Sequence, residues 1–358
     1  MLIGCIPNSK DFRHPADRRR YVYYFEKRGF SYELADFEKY YGAIYVSVSA
    51  DLGLWSKYKS RHIRDGSSPK VVFDLSDAYL AASPLSDCLR SFYYYLSRRT
   101  SVMNFSYRRI ILNMMESSDV VLCGSLEQKK ELDRLHRNVL VMRDYFEGDI
   151  SSRKTSCRLR RPRELNILWE GFSHGNLRCF ELLRDILSGI QDFEVHLHVV
   201  TDPSYCRVGG AYFCRPTIKI LEEVFEGSQV RIHLYDWCGQ TFSAIAACCD
   251  LAIIPIPDDP IMRRKPENKL LLLWSIGLPA IVANTESYVR VMNQIGHNFT
   301  ASSLEDWRGK IVRLASDEAV RGDYMRCAAE YLEEHCSERV ILDAWDRVFL
   351  GNLGGEKI

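Results

Sequence analysis

The chain has 358 residues, 46% of them apolar and 27% charged, with a net charge of +1. That is the composition of a globular protein long enough for two hydrophobic cores. It excludes a strongly basic nucleic-acid binder and a disordered chain, and no apolar run is long enough to span a bilayer.

Residues 2–6 read as a first strand rather than a signal peptide, because neither a basic leader nor a long apolar segment is present. Helical spacing follows over 16–28 and ends at Gly29. Residues 43–49 and 71–75 are strands, the second running into Asp74-Leu-Ser-Asp77. A long helical region, rich in Tyr and Arg, is expected over 85–117. Its segment 90–99, with Tyr107-Arg108-Arg109, leaves two readings open: Tyr rings packed into a core beneath solvated Arg, or a face laid against a membrane surface. A strand at 119–125, a helix to His136 and a strand at 138–142 complete the first half. Alternating strands and helices predict a parallel sheet covered by helices, as a first domain over 1–150.

Residues 151–163 carry Arg153, Lys154, Arg158, Arg160, Arg161 and Arg163 without apolar periodicity, and read as a basic linker. The pattern then restarts as a second domain over 164–336. Its strands fall at 165–169, 195–200, 230–234 and 251–255, and its helices include 177–187, 304–315 and 318–335. A final helix is expected at 338–349, within a tail of 337–358, from its single apolar face. The 12 cysteines form no CxxC pair; Cys5, Cys123, Cys248 and Cys249 sit inside elements as small apolar residues, which suits a reducing cytoplasm. Asp258-Asp259-Pro260 reads as a turn, not a metal site.

The segment 264–281 carries the chemistry. Pro266 suits a first helical turn, while Gly277 and Pro279 end the helix ahead of a buried strand at 280–283. Lys265, Asn268 and Lys269 then surround a helix start that follows the strand at 251–255. Unpaired N–H groups and the helix dipole make such a start a phosphate site. The plain alternative is a buried helix with a polar beginning.

Several segments, in order, resemble the GT-B glycosyltransferases, and most closely the retaining-type enzymes that build bacterial polysaccharides. They are Val71-Val-Phe-Asp-Leu-Ser-Asp-Ala-Tyr79, Ser118-Asp-Val-Val-Leu-Cys-Gly-Ser-Leu-Glu127, Ile167-Leu-Trp-Glu-Gly-Phe-Ser-His-Gly-Asn176, Cys249-Asp-Leu-Ala-Ile-Ile-Pro-Ile256 and 268–281. The resemblance implies an α/β fold of two Rossmann-like, doubly wound domains facing a cleft, with the last helix crossing back to the first domain. It implies a hexosyltransferase that uses a nucleotide-sugar donor and acts without metal or other cofactor. Gly171, Ser173, His174 and Gly175 would line the donor phosphates; Asn268 and Lys269 would meet the diphosphate, helped by Lys265 and by Arg263 or Arg264. Trp237, with Tyr235, is a candidate to stack on the base, the plain alternative being a core or rim aromatic. His174 has the plain reading of a solvated loop residue.

One departure stands out. Two glutamates eight positions apart are common in the family, and their places here hold Arg264 and Leu272. Glu267 lies five residues before Leu272, a helical rotation of roughly 140°, and so does not stand in for the ribose ligand. In the first domain, Asp74 and Asp77 are candidates for acceptor binding or base function, Asp77 also suiting a cap or turn, and Asp144 is a further strand-end carboxylate. The expected function is glycosyl transfer to a glycan, lipid-linked or other hydroxyl acceptor by a cytoplasmic protein, with peripheral membrane contact as one option and no nucleic acid as partner. The competing reading is a non-catalytic module of the same fold that binds nucleotide or glycan. A sugar-nucleotide epimerase ranks last.

Overall fold

The structure is a computed structural model that describes residues 2–63, 67–173, 177–208, 212–257, 259 and 261–351. The chain divides into two compact units. The first comprises residues 1–145, 264–266 and 336–358, and the second 146–263 and 267–335.

The first unit is built on six parallel strands: β1 (Leu2–Ile6), β2 (Ser31–Leu34), β3 (Ala43–Ser47), β4 (Lys70–Asp74), β5 (Val120–Cys123) and β6 (Val139–Val141), in the order β2-β1-β3-β4-β5-β6. All residues of β3 and β5 are buried, as expected of parallel strands covered on both faces. The helical stretch expected at 16–28 is interrupted. Between Pro15–Asp17 and Tyr23–Arg28, Arg20 leaves helical geometry (φ −113°, ψ −108°), and its side chain turns into the core.

The long helix expected over 85–117 is two helices, α1 (Pro84–Leu96) and α2 (Tyr107–Ser117). Ser83 and Ser106 cap their starts by accepting from Ser86 N and Arg109 N. The intervening loop is fixed by Asp51, which accepts from Thr100 Oγ1 at 3.2 Å and Ser101 N at 2.7 Å, and Arg98 there adopts φ 55°. A shorter helix, α3 (Leu126–Leu132), follows β5.

The C-terminal helix Glu338–Phe349 belongs to this first unit. Trp345 is fully buried against Tyr24, and Phe349 meets Phe25 edge-on. Glu338 pairs with Lys27 at 2.8 Å, and Asp346 accepts from Tyr24 at 3.0 Å and from Arg28.

The second unit has its own sheet: β7 (Glu164–Glu170), β8 (Glu194–Thr201), β11 (Arg231–Asp236), β12 (Leu251–Ile254), β13 (Ala280–Ala283) and β14 (Thr300–Ala301). They run parallel in the order β11-β8-β7-β12-β13-β14, with β9 (Ser204–Val208) and β10 (Tyr212–Pro216) as a separate antiparallel hairpin. The order reverses between β7 and β12, the switch point at whose carboxyl edge doubly wound sheets take ligands.

The helices are α4 (Leu177–Leu187), α5 (Thr217–Val224), α6 (Gly239–Cys248), α7 (Asn268–Ile276), α8 (Glu286–Gln294), α9 (Leu304–Ser316) and α10 (Glu318–Cys336). Gly277 ends α7 at φ 88°, and a Cβ there would lie 2.6 Å from the Lys154 carbonyl, so both conformation and space require glycine.

Two further sequence expectations are revised. The basic segment 151–163 is not a bare linker: within the second unit Lys154 N donates to Ile276 O, its Nζ to Cys249 O, and Arg160 N to Asp250. Nor does all the cysteine usage suit a reducing compartment, because the β9–β10 register sets Cys214 opposite Cys206 and the two form a disulfide.

Candidate functional site

In the second unit, β7 and β12 deliver two features to the switch point. β7 ends at Glu170, and Gly171 opens the following loop with its N–H on Val200 O at 3.2 Å. The chain beyond β12 reaches α7, whose N-cap is Glu267; Pro266 therefore precedes the helix rather than opening it. No side chain caps this start, so its first N–H groups stay available.

Lys269, in the first turn, donates its Nζ to Glu170 O at 2.6 Å and stands 3.4 Å from the Glu170 carboxylate. It also lies 5.8 Å from the centre of the Trp169 ring. Gly171 makes room for this arrangement: a Cβ would lie 3.1 Å from Lys269 Nζ and 3.2 Å from the Trp169 ring. Asn268 Oδ1 is buried without a hydrogen-bond partner. An uncapped helix start suits an anion.

The charges beneath are balanced. Glu267 is 1% exposed and pairs with Arg290 at 2.8 Å. Leu272 is buried, so the position that the resemblance assigns to a ribose-binding glutamate holds an apolar side chain shielded from solvent. Lys265, Arg263 and Arg264 are exposed just ahead of α7.

The remaining candidates separate clearly. Ser173 is fully buried and faces the protein: its N–H donates to Asp202 Oδ1 at 2.8 Å and its hydroxyl to Asp202 Oδ2, which anchors the glycine loop rather than presenting a ligand contact. His174 and Gly175, like Asp258 and Pro260, lie outside the described residues. Trp237 is half-buried just past β11, its N–H on Thr201 O at 3.0 Å. Tyr235 is committed elsewhere: its hydroxyl meets His198 Nδ1 at 3.1 Å, while His198 Nε2 meets Asn166 Oδ1 at 3.0 Å. Burial, then the neighbouring His233 and His196, push the His198 pKa down to about 4.

In the first unit, Asp74 is 3% exposed and bound on both oxygens by Arg20, at 2.7 Å and 2.9 Å, with the Tyr45 hydroxyl as a third donor. Arg20 also reaches Met142 O at 2.7 Å and Asp144 at 3.1 Å. Burial opposes the charge on Arg20, but Asp74 and Asp144 outweigh it and hold its pKa above the ordinary value. Asp74 and Asp144 are thus tied up in a buried ion network and present no free carboxylate to an acceptor. Asp77 is half-exposed beyond the end of β4.

Sequence reasoning passed over Glu170, whose position before the glycine loop was its one signal, and the Glu267–Arg290 pair, which gave none. It weighed a membrane face for segment 90–99 on the Tyr and Arg residues and passed over the apolar stripe of α1, where Leu85, Leu89, Phe92 and Leu96 are 51–72% exposed. Among the described residues, the cluster suited to a metal is His297, Asp323 and Cys327. There Arg326 already bonds Asp323 at 2.7 Å and Cys327 Sγ at 3.3 Å.

No protein-family model and no curated protein sequence matches the chain. Solved structures do, at the level of fold. WaaG, a glycosyltransferase involved in lipopolysaccharide biosynthesis, is 12% identical with a TM-score of 0.57, over 99% of this chain and 100% of that one. Anabaena HepE in complex with UDP is 11% identical with a TM-score of 0.60, over 98% and 99%. A mutant of S. aureus TarM, in complex with fondaparinux, alpha-GlcNAc-glycerol and UDP, is 12% identical with a TM-score of 0.54, over 92% of this chain; the chain spans 58% of TarM. The fold is the α/β fold of the GT-B glycosyltransferases.

Proposed function

We propose that this chain, with its GT-B glycosyltransferase fold, transfers a sugar from a nucleoside-diphosphate donor to a hydroxyl acceptor. One observation carries the reading: Lys269 Nζ is held on the Glu170 carbonyl, beside Gly171, at a helix start without a side-chain cap. As the bond from the anomeric carbon to the phosphate oxygen breaks, its electron pair goes to the diphosphate. Lys269 and the α7 N–H groups stabilise that charge, a metal-independent route. UDP in complexes of two similar structures supports a uridine donor. With Asp74 locked to Arg20, Asp77 is the aspartate left to orient the acceptor.

The α1 face supports a lipid-linked glycan acceptor and peripheral attachment to a cytoplasmic membrane surface. Leu85, Leu89, Phe92 and Leu96 form one exposed stripe, and residues 84–109 carry Arg90, Arg98, Arg99, Arg108 and Arg109 against Asp87 alone, a charge suited to anionic headgroups. No described helix is long and apolar enough to cross a membrane. Leu89→Asp with Phe92→Asp should abolish co-sedimentation with phosphatidylglycerol vesicles; retained binding would sink this attachment.

Release of nucleotide from a panel of UDP, GDP and CMP sugars, read by mass spectrometry, tests the activity. The buried Leu272 favours a second reading, a non-catalytic module of the same fold. Nucleotide binding without turnover across acceptors would establish it.

A further inference from the structure

We infer that the first unit holds a seat for an acidic sugar, a pyranose bearing a carboxylate or a phosphate ester, and that Arg99 reads its charge. That this sugar is the acceptor rests on the transfer reading above; the seat itself does not. In the strand order β2-β1-β3-β4-β5-β6 the order of addition reverses between β1 and β3. The carboxyl ends of these two strands are therefore a switch point, where doubly wound sheets take ligands. A cavity of about 370 Å³ opens there. Its wall includes Asn8, two residues past β1, and Ser49, two past β3. The volume suits a small organic ligand such as one sugar ring.

Three tyrosines form the apolar part of the wall. Tyr107 meets Tyr94 at 4.9 Å and Tyr79 at 6.1 Å between ring centres, both close to perpendicular. Its hydroxyl donates to Val48 O at 3.2 Å, so the rings brace one another against the end of β3. The hydroxyls of Tyr79 and Tyr94 bond no protein group among the described residues. Each ring thus offers a flat apolar face with a polar tip, which matches the C–H face and hydroxyl rim of a pyranose. On the strand side, Ser49 donates to Asn8 Oδ1 at 2.6 Å and joins the two strand ends, while its oxygen can still accept from a sugar hydroxyl.

The charge comes from the loop between α1 and α2. Arg99 N and Thr100 N both donate to Tyr94 O, at 2.8 Å and 3.3 Å, and Asp51 holds Thr100 and Ser101, so Arg99 leaves a fixed backbone. Its guanidinium lies 5.5 Å from the centre of the Tyr94 ring, a contact that uses none of its N–H donors. Among the described residues no carboxylate pairs with it, and the described wall contains none. Arg90 adds a second cation, 4.7 Å from the centre of the Tyr79 ring, and its Nη1 is buried without an acceptor. A neutral sugar would leave both guanidiniums without a counter-charge, whereas a carboxylate or phosphate takes the Arg99 fork as a bidentate pair. Tyr79 also lies two residues beyond Asp77, the aspartate proposed to orient the acceptor.

The test is calorimetric titration of the full chain with methyl glucuronide, glucose 6-phosphate and methyl glucoside. At least one of the two acids should bind once per chain, tenfold or more tighter than methyl glucoside, and the tighter of them assigns the anion as carboxylate or phosphate. Arg99→Met should weaken that acid at least tenfold and leave methyl glucoside unaffected. Its melting temperature should hardly change, because Arg99 is exposed. Arg99→Lys keeps the charge without the fork and should recover part of the loss. Lys269→Ala should bind the acid as the wild type does. No saturable binding of either acid at 10 mM, equal affinity for methyl glucoside, or binding that survives Arg99→Met would overturn the inference. Nucleotide release from the donor panel separates the seat from the transfer reading. An acid that binds through Arg99 without any turnover leaves the seat standing and removes the transfer; turnover of donor with neither acid bound removes the seat alone.

Discussion

Lys269 is the residue on which the proposed reaction can be tested most sharply. Without ligand its ammonium is held by the Glu170 carbonyl at 2.6 Å, with the Glu170 carboxylate at 3.4 Å; the two side chains are 33% and 16% exposed. A partly solvated pair of this kind contributes roughly 0–1 kcal/mol to stability, so Lys269→Met should leave the melting temperature almost unchanged. Methionine also keeps the aliphatic stem beside Trp169 and removes only the charge. With donor bound, a charge-assisted hydrogen bond to diphosphate is worth about 1.5–3 kcal/mol, and it strengthens as the leaving group gains charge. Loss of that bond should lower kcat/KM for donor hydrolysis or transfer by roughly 10- to 150-fold, with a share of the loss in kcat. The assay is released nucleotide at varied donor, beside a thermal melt. A kcat/KM within about threefold of wild type, in a variant that melts normally, would refute the assignment of Lys269 to the leaving group.

Gly171→Ala should act on the same site from the other side. Its Cβ would press on Lys269 Nζ at 3.1 Å and the Trp169 ring at 3.2 Å, raising the donor KM roughly fivefold, about 1 kcal/mol, and the glycine's φ of 159° disfavours any side chain, so the melting temperature should fall as well. Arg20→Met should cost about 3–5 kcal/mol in urea unfolding, because it strands Asp74 in the core; adding Asp74→Leu should recover part of that loss. An Asp74→Asn variant of wild-type stability but without activity would show instead that Asp74 is chemical. His198, held neutral with its pKa pushed down to about 4, stabilises the fold fully above its ordinary value near 6.5, and that contribution fades as pH falls from there toward 4. Melting curves over pH 4–7.5 should therefore fall less steeply in His198→Gln than in wild type.

What could be read from the sequence was set by local chemistry. The bounds of α4, β13 and the C-terminal helix agree with expectation because apolar periodicity and the Gly277–Pro279 stop are written within a few residues of the events they cause. The break between α1 and α2 was invisible for the opposite reason. Residues 97–106 contain neither Gly nor Pro, and the loop is held by Asp51, about fifty residues upstream. Asp74 shows the same limit at a site. A carboxylate at a strand end has one sequence signature whether it meets substrate or a buried Arg, and Arg20 is 54 residues away. For α1 the amphipathic period was present, but period alone does not say which face turns inward. Buried Asp87 and Ser91, with half-buried Tyr94, settle that the leucine stripe faces out.

Leu272 gains its meaning from the carboxylates around it. The resemblance to the GT-B glycosyltransferases, many of which carry a nucleoside-binding acid at this position, sets an expectation that the buried Leu272 does not meet. The two acids near the helix start are both paired: Glu267 is buried on Arg290, and Glu170 sits beside Lys269. These pairs differ in one respect that matters for binding. Glu267 is 1% exposed, so freeing it would leave a buried charge uncompensated, at a cost of several kcal/mol. Glu170 is partly solvated, and its carboxylate is the weaker of Lys269's two contacts. On the proposed reading, a diphosphate that draws Lys269 toward itself releases the Glu170 carboxylate to accept from a sugar hydroxyl. One exchange of partners would thus give both the charge on the leaving group and the polar contact that Leu272 no longer provides.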